Sequence, residues 1–537
     1  QPQDYFEKAA RQAPKDARKK TAVALTRLMQ GDTATAFAEL QNIAVSDSGT
    51  TADLALISAH LKRHEYDQAL KAIDGLEKKQ PDKPLAAFLR GRTLQAMQNT
   101  ADARKSFERA LTIDPNYFPA VASLAALDVA DNKPEDAKKR FQAVLDKNPK
   151  SGQAWVALAE LATKSGAKPD EVAKLLSNAV TADPTQPTPR LLLIDFYLSN
   201  KDFKRVSSAA QDAVAAMPDS PEVLDALGRT QQATGDLNQA IVTFNKLADM
   251  QPLSPQPFMR LAGVHMAEKN KDAAAQSLEK ALQVKPDLLE AQRALVVLEL
   301  DGKKVPAALD VARTVQKQRP REAIGYLLEG DINASQKNWS GAAAAYRAGL
   351  KQVNAPELAV KLHAVLLASG QAAEADRFST TWQKDNPKDA AFPFYLGDQA
   401  LARKDYAGAS QQFAAVIKLQ PNNAGAYNNL AWVSAKLNKD DAMGYAEKAN
   451  ALAPNQPAFM DTLAMLLADK GDYAKALELQ NKALALQPQN NAFKLNLAKI
   501  NIKAGNKDLA RKELEELDKL GDAFTAQAEV ASLLKGL

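Results

Sequence analysis

Cysteine is missing altogether from the 537 residues, which excludes disulfides and thiolate-held metals. Its absence fixes no compartment, because cysteine-free chains occur in reducing and oxidising surroundings alike. Histidine is nearly as scarce. The four residues, His60, His64, His265 and His363, are scattered over three regions, and no HExxH, Walker, GxSxG or GxGxxG fingerprint appears. Each histidine therefore reads as a surface or partly packed residue. Carboxylates are abundant, but on helices they read as solvated i, i+4 partners. No catalytic residue, cofactor site or metal site is expected.

Long apolar runs are also lacking. "LLLI" at 191–194 is typical of the longest, far short of the roughly 18 residues of a spanning helix. Aromatics make up only 6%, and alanine supplies much of the apolar share, which predicts thin, closely spaced helices and disfavours a β protein. Charge of one sign does not cluster. Lys and Arg number 69 against 64 Asp and Glu, interleaved along the chain, whereas a nucleic-acid surface needs clustered basic residues. The densest basic run, "ARKK" at 17–20, reads as an exposed helix face. The start, "QPQDYFEKAA", carries neither an initiator methionine nor a signal peptide and reads as a processed or trimmed chain.

What the sequence does have is repetition. Prolines fall at 81, 115, 149, 184, 218, 252, 286, 320, 387, 421, 454 and 488, mostly 34 residues apart, with Asn354 in the one missing place. Twelve residues before each stands a small residue. With the register extended outward, the series is Ala36, Ala69, Ala103, Ala137, Val172, Val206, Ala240, Ala274, Ala308, Ala342, Ala375, Ala409, Ala442, Ala476 and Ala510. Each unit reads as two amphipathic helices joined by a tight turn and closed by an x-Pro break. In "LDALGRTQQATGDLNQAIVTFNKLADMQP" (224–252), Leu224, Leu227 and Gly228 line one helix, and Ala240, Phe244 and Leu247 line the other. Gly228 and Ala240 are expected to be small because the helices cross there. Gly235 and Asp236 suit the end of one helix and the start of the next.

These positions resemble the tetratricopeptide repeat, with Leu-Gly in its first helix and Ala, an aromatic and Pro in its second. "LRGRTLQAMQNTADARKSFERALTIDP" (89–115) carries Gly91, Ala103, Phe107, Ala110 and Pro115 at the matching spacings. The resemblance implies an all-α fold, a right-handed superhelical solenoid of about fifteen units. Residues 1–16 would form an N-terminal half-repeat or cap, 17–523 the tandem array and 524–537 a C-terminal capping helix, since stacked repeats need closed ends.

In proteins with this repeat, the fifth and ninth positions of a unit tend to face a binding groove. Carrying that over marks Asp225, Arg229, Arg293, Asp331, Lys361, Phe394, Asp398, Asn428, Trp432, Asp461 and Met465 as groove candidates. For Trp432 and Phe394 two readings stand open, groove anchor or packing against the next unit. The Lys and Asn pattern of a double-carboxylate clamp is not found.

Several stretches, among them "KPDLLEAQRALVVLEL", "QRPREAIGYLLEGD", "YNNLAWV" and "ANALAPNQPAFMDTLAMLLADKGDYAKALEL", resemble the repeat-containing lipoprotein of bacterial exosortase (PEP-CTERM) systems, over residues 50 to 520. One departure is Ala464-Met465, where that family has Gly-Trp. Another is the lipobox cysteine, which the sequence does not contain. The resemblance implies an exported protein facing the periplasm, lipid-anchored upstream of Gln1, that works beside exopolysaccharide biosynthesis and export; the residues alone leave a cytoplasmic location open. The expected role is a non-enzymatic scaffold for protein partners of an envelope polysaccharide or protein-sorting machinery. Direct polysaccharide binding along the groove is the alternative, and nucleic acid is not an expected partner.

Overall fold

The computed structural model describes residues 16–537. Every regular element among them is helical: thirty-one α-helices and one 3-10 turn, with no strand. Thirty of the helices form fifteen consecutive antiparallel pairs, from Ala17–Met29 with Thr33–Ser46 to Asn491–Lys503 with Lys507–Asp518. The 3-10 turn Gly521–Ala523 and the helix Gln527–Gly536 follow. The half-repeat expected at the N-terminus lies, but for Asp16, outside the described residues. The chain divides into two compact bodies, one ending at Lys285 and the other beginning at Pro286. The first holds eight helix pairs and the second seven pairs with the final helix.

The turn inside each pair has a common construction. A residue with left-handed backbone recurs at 31, 64, 98, 132, 166, 201, 235, 269, 303, 337, 370, 404, 438, 471 and 505, once per pair. It stops the first helix, and the next residue closes a Schellman ring onto that helix's last turn. Thus the amide of Asn99 donates to the carbonyl of Leu94 at 2.9 Å, and that of Asp405 to the carbonyl of Ala400 at 2.8 Å. In thirteen of the fifteen pairs the residue that closes the ring also starts the second helix, the exceptions being Ala167 and Lys439. Asn99, Asp202, Asn270, Asn338, Asp405 and Asp472 each accept, through the side chain, a backbone N–H three residues on. One dipeptide therefore ends one helix and caps another.

The proline series closes twelve of the fifteen pairs. Helix Thr100–Ile113 stops at Asp114, which is extended ahead of Pro115, as the clash with a following proline ring requires. At the missing proline, Asn354 instead donates a 2.7 Å hydrogen bond to Asn386 in the next repeat.

All fifteen positions of the small-residue series are buried, and they lie where the two helices of a pair press together. The reason for the recurrent first-helix glycine is more specific than a helix crossing. A β-carbon on Gly91 would meet Phe107 at 2.5 Å, and one on Gly228 would strike Phe244. Gly330 stands in the same relation to Tyr346, and Gly397 to Phe413. In each case the ring sits sixteen residues on, fully buried. The glycine is a slot for the aromatic of its own partner helix.

Candidate functional surfaces

The fifth and ninth positions of the first helices fall into three kinds of surroundings. The first is an ionic ladder in the N-terminal body. Asp225 accepts from Arg229 Nε at 2.9 Å within its own helix and from Arg260 Nε at 2.8 Å in the next repeat. Arg229 Nη1 reaches back to Asp195 of the preceding repeat at 2.8 Å. Four charges thus tie three consecutive first helices together. In the C-terminal body Asp331 and Lys361 make the same link between neighbours at 3.0 Å, and Asp331 also accepts from the buried Tyr346 hydroxyl at 2.6 Å. Burial, reinforced by Asp331, raises the pKa of that phenol. Arg293 is exposed and makes no ion pair among the described residues.

The second kind is packing. Phe394 is half-buried, its ring edge-on to Phe413 at 5.5 Å, beside Ala390, Val416 and Ala426. Met465 lies against Ala464, Ala468, Ala476 and Ile500. Asp461 belongs to a polar knot between repeats, accepting from Gln480 at 2.6 Å and from Asn496 at 3.0 and 2.9 Å. Burial raises its pKa, and the two amide donors only partly counter this.

The third kind is uncommitted. Trp432 is 41% exposed. Its indole meets the edge of Tyr406 at 5.6 Å, and the Lys436 ammonium lies 5.1 Å from the ring centroid. One turn earlier on the same helix, Asn428 has a side-chain oxygen shielded from solvent with no hydrogen-bond partner. Asp398, exposed on the preceding repeat, makes one long 3.4 Å hydrogen bond to Asn429. Of the two readings for the aromatics, packing describes Phe394 and an open face describes Trp432.

The histidines also divide. His60 stacks on Phe37 and pairs with Glu65 at 2.8 Å, and His64 supplies the left-handed turn residue. His363 departs from the expected surface or partly packed setting. It is 3% exposed, held by the Tyr395 hydroxyl at 3.0 Å, and burial lowers its pKa.

One surface lies outside the sequence-derived candidates. In the third to fifth repeats the same two register positions hold Phe88 and Arg92, Ala122 and Ala126, and Val156 and Glu160. They line two adjoining troughs of about 630 and 410 Å³ that share Ala122 and Ala126. The floor is apolar because alanine leaves helix surface uncovered. Arg92, Glu160 and Lys164 put charge of both signs at its margin. The register rule finds these residues when applied there, but alanines attract no notice as candidate ligand contacts.

Two family models, each described as Tetratricopeptide repeat, match this chain. One covers residues 94–161 and 467–535, the other 54–118, 226–288 and 293–357, together more than half of the sequence. Among curated proteins, "Cellulose synthase operon protein C" of Pseudomonas fluorescens (strain SBW25) is 24% identical over 75% of this chain and 36% of its own length. "Small glutamine-rich tetratricopeptide repeat-containing protein 2" of Mycosarcoma maydis is 28% identical over 19% of this chain and 29% of its own. The chain spans about a third of the length of the curated relatives it matches. Among solved structures, yeast Tom70 is 14% identical, with 82% of this chain and 97% of that one covered at a TM-score of 0.35. The repeat register, the left-handed turn in every pair and the family matches agree: the chain belongs to the tetratricopeptide repeat family.

Proposed function

We propose that this protein is a non-enzymatic scaffold which holds protein partners of an exopolysaccharide-related envelope system on the open face of its first helices. The observation that carries the reading is the trough over Phe88, Ala122, Ala126 and Val156. An apolar floor with charges of both signs at its margin suits a polypeptide segment whose apolar side chains enter while its polar ones stay wet. The likeness to a protein named for a cellulose synthase operon, together with the sequence resemblance to exosortase-associated lipoproteins, supports the polysaccharide setting. The PEP-CTERM assignment, the lipid anchor and the periplasmic location belong to the same proposal.

A photo-crosslinking residue at Val156, compared with one at Glu171, exposed on the second helix of the same repeat and outside the trough, tests it in cells of the source organism. The expected result is crosslinks to envelope proteins of a polysaccharide or protein-sorting system from position 156 only, lost on Ala126→Glu. Crosslinks solely to unrelated cytosolic proteins would overturn the reading. Membrane fractionation of the full-length gene product tests the location separately.

A further inference from the structure

Of the sequence-derived groove candidates, most are bonded into the repeats themselves. Asp225 and Arg229 belong to the ladder, Asp331 and Lys361 to each other, and Asp461 to its amide donors. Phe394 and Met465 are drawn into packing. Apart from Arg293, four repeats earlier, what is left in the C-terminal body is one indole plate in a polar strip. Trp432 stands exposed, Asn428 lies one turn away with an unused amide oxygen, and Asp398 on the preceding repeat is engaged by a single long hydrogen bond.

The geometry points to a glycan subsite in which one pyranose ring lies on the face of Trp432, its hydroxyls bonded to Asn428 and Asp398. A pyranose is chemically amphipathic in this sense. Its ring C–H groups form an apolar face that suits an aromatic plate, and its hydroxyls form a rim that both donates and accepts. The Asp398 carboxylate accepts from neighbouring hydroxyls, and the partly buried Asn428 side chain, whose oxygen is shielded and unpaired in the free protein, turns outward to gain from a sugar hydroxyl the donor it lacks. Lys436 occupies the ring as an exposed cation at 5.1 Å, a weak contact that a sugar can displace. A peptide anchor fits less well, because an aromatic hot spot sits in an apolar pocket. Here the flanking apolar candidates, Phe394 and Met465, are turned into the core. The carboxylate at Asp398 selects a neutral sugar over a uronate.

This inference goes beyond the scaffold reading and is independent of it: protein crosslinking at Val156 can fail while the glycan subsite stands, and the reverse. One stacked ring gives weak binding, so the probe is an oligosaccharide. The full chain is titrated calorimetrically with cellohexaose and with maltohexaose, up to their solubility limits. The expected result is binding of at least one, weakened roughly tenfold or more by Trp432→Ala. Asn428→Ala should weaken it less, and Trp155→Phe in the other body should leave it unchanged. Trp432 is exposed, so its removal leaves the core intact, and circular dichroism confirms this. Three results would overturn the subsite: no binding of either hexasaccharide, binding indifferent to Trp432→Ala, or Trp432-dependent capture of a protein partner with no glycan bound.

Discussion

A β-carbon on Gly397 would lie 2.7 Å from Cε1 and Cζ of Phe413, a ring with no exposed surface into which to move. Gly397→Ala should therefore destabilise. On propensity alone, alanine improves a helix interior by roughly 1 kcal/mol. Overpacking a fixed aromatic costs about 1–3 kcal/mol, and the second effect should win. Urea unfolding and hydrogen exchange across Ala391–Ala402 and Tyr406–Leu419 would show it. Pairing the substitution with Phe413→Leu should recover part of the loss. A stabilised single variant would mean the slot is not tight.

The left-handed turn residues predict the opposite sign. Lys303, Lys337 and Lys404 have φ of 57°, 58° and 61°, in a region that costs a residue with a β-carbon about 1–2 kcal/mol. Replacing each by glycine relieves that strain but loses about 0.4–1 kcal/mol through the freer unfolded chain. The net gain should be about 0.5 kcal/mol per site, and the triple variant should add nearly in full, since the sites lie in separate repeats. The reverse change, Gly370→Ala at φ 78°, should cost about 1 kcal/mol. Melting curves of the triple variant and of Gly370→Ala check both signs.

These two features also mark what was legible in the sequence. The fifteen-fold register could be read because proline and alanine are imposed at fixed places by backbone sterics and by close helix approach, and neither depends on neighbours far away. The left-handed turn was legible at Gly235 but not at Lys404 or His64, where one strained residue is tolerated because the capping bonds around it are good. The open face was less legible. Register position placed Trp432 and Phe394 alike, yet Phe394 finds the ring of Phe413 and is half-buried, whereas Trp432 meets the edge of Tyr406 and the Lys436 ammonium and stays 41% exposed. Whether a charge at such a position is free depends on the residue one repeat away, as Arg260 decides for Asp225. The apolar trough went unmarked because its floor is alanine, informative only as a surface.

Cross-repeat charge pairs should differ in strength with exposure. Asp225 and Arg260 are 21% and 33% exposed and share a two-contact geometry, whereas Asp331 and Lys361 are 47% and 48% exposed. A double-mutant cycle to alanine should return about 1 kcal/mol for the first pair and no more than about 0.5 for the second. At 1 M salt the Debye length shrinks to roughly 3 Å, so the second coupling should vanish while most of the first survives. Equal salt sensitivity would show that the ladder is solvated and does not join the repeats.

Two carboxylates, Asp128 buried and Asp461 partly buried, should make the bodies respond to acid in opposite directions. Burial would raise the pKa of Asp128, but Arg140 and Arg104, at 2.5 and 2.6 Å, outweigh it and hold the carboxyl below the usual range. Its folded pKa thus lies under the unfolded value of roughly 3.9, and its stabilisation is complete above that value and lost as pH falls through the folded one. At Asp461 burial dominates over Asn496 and Gln480 and raises the pKa. There the folded state holds its proton more tightly, so stability is greatest at low pH and declines as pH rises through the folded value. Between pH 7 and about 4, hydrogen exchange corrected for intrinsic rates should show growing protection across Pro457–Lys503 and little change across Phe118–Lys147. The latter should loosen only below that range. Asp461→Asn should abolish the first response while keeping an acceptor for both amides. Asp128→Asn should cost about 3 kcal/mol at neutral pH, because it leaves two guanidinium groups without their shared anion. If both segments gained or lost protection together, overall net charge rather than these two carboxyls would be setting the response.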